Sequence, residues 1–151
     1  ISEDDIRKGF SSVCSATGLM GRWQKIADAP VTVCDAGHNI GGISYIVNQL
    51  KRQKYDTLRI VWGMVADKDV DAVLAMMPKD ARYYFTQASI KRAMPAGEMQ
   101  HKASKFGLQG GAYATVGDAL NAARTEASAD DFIFVGGSCF IVADLLQLLQ
   151  Q

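Results

Sequence analysis

An acid, an imidazole and an amide fall close together in Asp35-Ala36-Gly37-His38-Asn39. The segment follows the β-branched run Val31-Thr32-Val33 and precedes an amphipathic stretch opening at Ile40. It reads as a strand-to-helix turn, and turns at the carboxyl ends of strands are where open α/β sheets bind ligands. Carboxylates accept from ribose hydroxyls and helix N-termini favour anions, which makes Asp35 and His38 candidates for a ribose and a phosphate. The plainer reading stands beside it: Asp35 caps the helix and His38 packs locally. Arg22, in Gly21-Arg22-Trp23-Gln24, offers a permanently charged planar fork suited to phosphate, against the alternative of a solvated surface arginine. Lys68 lies between Asp67 and Asp69, either a helix-start charge pair or a ligand contact. Ser138, after Gly136-Gly137, is a helix cap first, and its hydroxyl is also able to face a ligand. His101 lies on a helix flank and receives no role.

These residues need a scaffold, and the hydrophobic pattern supplies one. Val31 to Asp35, Leu58 to Gly63, Arg82 to Thr86, Ala112 to Ala114 and Phe132 to Val135 read as strands, with Trp23 to Ala27 as an edge strand before them. Between them run helical stripes: Ile40, Ile43, Val47 and Leu50; Val70, Val73, Leu74 and Met77; Met99, Ala103 and Phe106 after Pro95; Val116, Leu120, Ala123 and Ala127. A last helix from about Ser138 carries Val142, Leu145, Leu146 and Leu149. Strands alternating with helices imply βαβ units and a largely parallel sheet, and near-continuous apolar strands imply cover on both faces. Residues 1–20 are expected to form a helix, with Ser2 as its cap, and a linker region. The polar and glycine clusters at 35–39, 63–69, 86–92 and 136–138 all follow strands, so a parallel sheet gathers them on one edge.

Composition narrows the function further. The 151 residues make one ordinary domain, 48% hydrophobic and 21% charged, as expected of a globular chain. Sixteen Lys and Arg balance 16 Asp and Glu, so no basic field points to nucleic acid. The apolar runs are too short to span a bilayer. Cys14, Cys34 and Cys139 are odd in number and widely spaced, which supports neither a zinc ribbon nor a disulfide framework and fits a cytoplasmic setting. There is no G-x-x-x-x-G-K-[ST] loop, no G-x-G-x-x-G and no metal cluster. The chain opens on Ile1 rather than Met, and we expect it to be a piece of a longer polypeptide.

Five segments in order carry a resemblance: Gly21-Arg22-Trp23-Gln24, Asp35 to Asn39, Gly63-Met64-Val65-Ala66-Asp67-Lys68-Asp69, Arg92-Ala93-Met94-Pro95-Ala96, and Gly136-Gly137-Ser138 before an apolar helix. From about Gly21 onward the chain resembles the C-terminal domain of folylpolyglutamate synthase/dihydrofolate synthase, in the Mur ligase superfamily. The resemblance implies an α/β, Rossmann-like domain over residues 21–151, with a mostly parallel six-stranded sheet and helices on both faces. It also implies an N-terminal P-loop ATPase domain, absent from this chain, as its partner. The implied activity joins L-glutamate to a folate or dihydropteroate carboxyl through an acyl phosphate, using ATP and a Mg2+ held mainly by the missing domain, in a monomeric enzyme. Arg22 then corresponds to an ATP-phosphate contact, Asp35 to a ribose contact and His38 to the histidine near the reacting groups, a candidate for catalysis; Asn39, Lys68 and Ser138 are further candidate ATP contacts from their own places in the chain. The family commonly has Pro after His-Asn, where this chain has Ile40-Gly41-Gly42. The rival readings are a peptidoglycan-precursor Mur ligase domain and a non-catalytic Rossmann-like binding module.

Overall fold

The computed structural model describes residues 21–66 and 69–150. The helix expected within residues 1–20, and Lys68, lie outside the described residues.

The described chain runs β1 (Gln24–Asp28), β2 (Val31–Asp35), α1 (Ile40–Lys51), β3 (Leu58–Trp62), α2 (Val70–Met76), β4 (Arg82–Phe85), α3 (Ala96–Ser104), β5 (Gly110–Ala112), α4 (Val116–Glu126), β6 (Phe132–Gly136) and α5 (Cys139–Leu149). The six strands form one sheet in the order β1-β2-β6-β3-β4-β5. β1 pairs antiparallel with β2, with a register shift between Lys25 and Ala27. All other pairings are parallel.

Period-two alternation sends strand side chains to two separate cores, which explains why the strands read as continuously apolar. On one face Val33, Ile60, Phe132 and Phe134 meet Ile43, Ile46 and Leu50 of α1, Val73 and Leu74 of α2, and Met99 of α3. On the other, Cys34, Val61, Ile133 and Val135 meet Leu120 and Ala123 of α4 and Ile141, Val142 and Leu145 of α5. Cys34 is a free thiol; burial above all, with Asp35 beside it, pushes it up to about 11. Cys139 is disulfide-bonded, which the cysteine spacing did not lead us to expect.

Three expectations shift in detail. β5 lies two residues earlier than its apolar run suggested, on Gly110-Gly111. A Cβ on Gly110 would stand 1.8 Å from the Tyr83 carbonyl oxygen, so only glycine lets the strands approach this closely. α3 starts at Ala96 with Pro95 as its N-cap and ends at Ser104; Leu108 N donates back to Ala103 O and Gly107 takes φ +80°, a left-handed C-terminal stop. Ile40 is not a core residue: it is 49% exposed, and Ile46 fills the core instead.

Parallel register levels the carboxyl ends of the strands. Asp35 pairs with Gly136, Gly136 with Trp62, and Trp62 with Phe85. The connection from β2 crosses on the α1 face while α5 leaves β6 on the other, so the two chains part just above Asp35 and Gly136. A crevice at such a reversal is the favoured ligand position in open α/β sheets.

Candidate functional site

Asp35 ends β2 and is 7% exposed. Its Oδ1 accepts from Gly37 N at 2.8 Å and its Oδ2 from Trp23 N at 3.0 Å. Ala36 N donates to Gly21 O at 2.9 Å. The carboxylate thus closes its own turn and ties the start of β1 to it. It does not cap the helix. That task falls to Asn39, whose Oδ1 accepts from Gly42 N at 2.8 Å. Gly37 is tightly packed, since a Cβ there would meet Ile46 Cδ1 at 2.9 Å and make that side-chain end shift.

Trp23 carries φ 42°, a left-handed value that costs a non-glycine residue about 1–2 kcal/mol. Its indole stacks on Phe132 and Phe134, both at 6.1 Å between centroids, and its amide is held by Asp35. These contacts offset the strain and fix the backbone on the carboxyl side of Arg22.

His38 Nδ1 lies 3.1 Å from Ala36 O. A carbonyl only accepts, so Nδ1 is the protonated nitrogen, and neutral His38 keeps Nε2 as an acceptor.

Arg22, Trp23, Asp35, His38, Asn39, Gly41, Gly42 and Tyr45 surround an open cleft of about 720 Å³. The electrostatics favour an anion. Arg22 is exposed, α1 has no acidic residue in its first turn, and the Ile40 and Gly41 amides precede the first intrahelical bond, Ile43 N to Asn39 O. A helix N-terminus beside a guanidinium suits a phosphate group. The donor set therefore fits the phosphates of a nucleotide. Among the described residues no group of three or more His, Cys, Asp or Glu could hold a metal ion, and no helix is long and apolar enough to cross a membrane.

The structure brings together four of the six residues singled out in the sequence: Arg22, Asp35, His38 and Asn39. Ser138 stands apart. It is 2% exposed and its hydroxyl accepts from Ile141 N, capping α5, the first of the two roles read for it. Gly137, at φ +107°, lies where a Cβ would stand 2.3 Å from Gly63 O, so this glycine pair serves close backbone packing. The segments at 63–66 and 92–94 face each other instead of the cleft: Ala66 N donates to Arg92 O and Met94 N to Met64 O, both at 2.9 Å. Sequence reasoning missed Tyr45, 55% exposed on α1. Its signal was available: Gly41 and Tyr45, four apart, share a face away from the Ile43, Val47 and Leu50 stripe.

A family model described as Mur ligase, glutamate ligase domain, matches residues 21–139. The chain is 30% identical over 148 residues to a Halobacterium salinarum protein named probable bifunctional folylpolyglutamate synthase/dihydropteroate synthase, covering 95% of this chain and 17% of that protein. It is 28% identical over 152 residues to the Escherichia coli dihydrofolate synthase/folylpolyglutamate synthase, covering 99% of this chain and 34% of that protein. The crystal structure of bifunctional folylpolyglutamate synthase/dihydrofolate synthase complexed with AMPPNP and Mn ion from Yersinia pestis shares the fold with a TM-score of 0.75 at 27% identity, over 87% of this chain and 31% of that one. The chain spans about a third or less of the length of these relatives.

Proposed function

The chain belongs to the Mur ligase, glutamate ligase domain, family, and from that membership we propose that it is the C-terminal, ATP-closing domain of a folate-pathway ligase. The observation that carries the reading is the open cleft lined together by Arg22, the N-terminus of α1, Asp35 and His38. The cleft offers cationic and amide donors without a phosphate-cradling loop, as one wall of a shared site would. The other wall belongs to a P-loop domain elsewhere in a monomeric, cytoplasmic parent, which also holds Mg2+.

In this proposal a folate or dihydropteroate carboxylate attacks the γ-phosphorus of ATP, ADP leaves, and an acyl phosphate forms. The amine of L-glutamate then attacks the acyl carbon, phosphate departs and the amine loses a proton. Arg22 offsets the negative charge that gathers on the transferred group. The remaining lone pairs of Asp35 face the ribose hydroxyls. Asn39 shapes the phosphate end by capping α1. His38 presents Nε2 as a proton acceptor near the reacting groups. Closing one wall over the other excludes water, which protects an acyl phosphate from hydrolysis.

The test is MgATP-dependent addition of glutamate to pteroate or folate by the full-length parent. Arg22→Ala is expected to lower kcat/KM for ATP by about 100- to 1,000-fold, and the chain alone is expected to show no turnover. Robust turnover by the chain alone, or wild-type kinetics in Arg22→Ala, overturns the reading. Ligation to UDP-linked precursors in place of folates moves it to the peptidoglycan branch.

A further inference from the structure

Arg22 sits between two tethered neighbours. Gly21 O accepts from Ala36 N at 2.9 Å, and Trp23 N donates to Asp35 Oδ2 at 3.0 Å. Among the described residues no side chain pairs with the Arg22 guanidinium, so its direction comes from the backbone that carries it. That backbone is held in an unusual form, with Trp23 at φ 42°. The indole is anchored on one side by Phe132 and Phe134. On the other, the side-chain acceptor holding the turn among the described residues is the Asp35 carboxylate. Its second oxygen accepts Gly37 N at 2.8 Å, fixing the carboxylate plane.

We infer that Asp35 is a positioning residue for Arg22: by binding the Trp23 and Gly37 amides at once, its carboxylate sets where the guanidinium projects over the cleft. The inference rests on the proposed nucleotide site and adds to it a role beyond any ribose contact. Asp35 does not need to touch phosphate to govern how phosphate is held. A displacement of about 1 Å at such a position is enough to cost two orders of magnitude in rate. Asparagine is a sharp probe, because its one carbonyl oxygen cannot replace both carboxylate oxygens in this geometry.

The experiment is a double-mutant cycle in the full-length parent: wild type, Asp35→Asn, Arg22→Ala and the pair. The readout is kcat/KM for 2′,3′-dideoxy-ATP, which has no ribose hydroxyls for a carboxylate to hold. Asp35→Asn is expected to lower it by about 10- to 100-fold, and to add less than about twofold in the Arg22→Ala background. Equal losses in both backgrounds, or wild-type kinetics in Asp35→Asn, overturn the inference. Should Asp35→Asn not fold, Asp35→Glu keeps the charge and both oxygens but moves them one methylene outward. The same coupled loss is expected, and full activity there also overturns it. Reading the same cycle as the Kd of that nucleotide separates the two claims. Absence of folate ligation in the wild-type parent refutes the folate reading, while the coupling between Asp35 and Arg22 remains measurable.

Discussion

At the amino-terminal edge of the sheet Arg59 and Asp131 answer each other; at the carboxyl edge Asp35 is answered by backbone amides, and Arg22 is left facing the cleft. Arg59 Nε donates to Asp131 at 3.0 Å and Arg59 Nη1 to the Tyr84 hydroxyl at 2.8 Å. Asp131 also accepts from Thr57 N, Ser128 N and Ser128 Oγ. The side chains of Arg59 and Asp131 are 12% and 4% exposed. Burial alone raises the Asp131 carboxyl. The hydrogen bonds from Ser128 N, Arg59, Ser128 Oγ and Thr57 N outweigh it and hold the group below its ordinary 3.8. One edge is therefore closed on itself, a network that fixes strand ends. The other is closed beneath and open above. The difference teaches which charges serve folding and which remain available for a ligand.

Cutting the closed edge has the largest expected effect on stability. Asp131→Ala leaves a nearly buried guanidinium and two amides without their acceptor, and should cost about 3–5 kcal/mol in urea unfolding of the chain. A loss under about 1 kcal/mol, the range of exposed pairs, would erase the contrast between the edges. Acid sharpens it at intermediate size. Asp131 is depressed in the folded state, so its contribution is fully present above the unfolded value and is lost as pH falls through the folded one. The stability gap between wild type and Asp131→Asn should hold at neutral pH and shrink below pH 3.8. A gap that grows on acidification would contradict the assignment. The smallest effect belongs to the open edge. Arg22→Ala should change stability by no more than about 0.5 kcal/mol, although it disables the proposed chemistry. A large loss there would mean that Arg22 is a structural residue after all.

The turn at Asp35 to Asn39 was legible because local chemistry wrote it: a β-branched strand, a glycine and two side chains able to bind nearby amides. The two-faced sheet was legible for the same reason, since Phe132 to Val135 is apolar at every position. What escaped depends on contacts far apart in sequence. Asn39, next to Ile40, caps α1, while Asp35 is taken up by the Gly37 amide and by the Trp23 amide twelve residues upstream. The place of β5 is decided by the Tyr83 carbonyl crowding Gly110, a relation between strands that a glycine pair, read alone, presents as a break. Ser138 followed the local rule for a cap, and its hydroxyl accepts from Ile141 N accordingly.

The shift between Lys25 and Ala27 and the brevity of β5 have a consequence for how copies of this domain meet. An open sheet exposes a row of unpaired amides and carbonyls along each outer strand, a template on which another chain's strand is able to grow. Here one outer strand is interrupted in mid-course and flanked by the exposed Lys25–Asp28 ion pair. The other presents only three residues, Gly110 to Ala112. The broken register interrupts one border and too little length remains along the other. Neither β1 nor β5 therefore offers a long, regular border on which another copy's strand could extend the sheet.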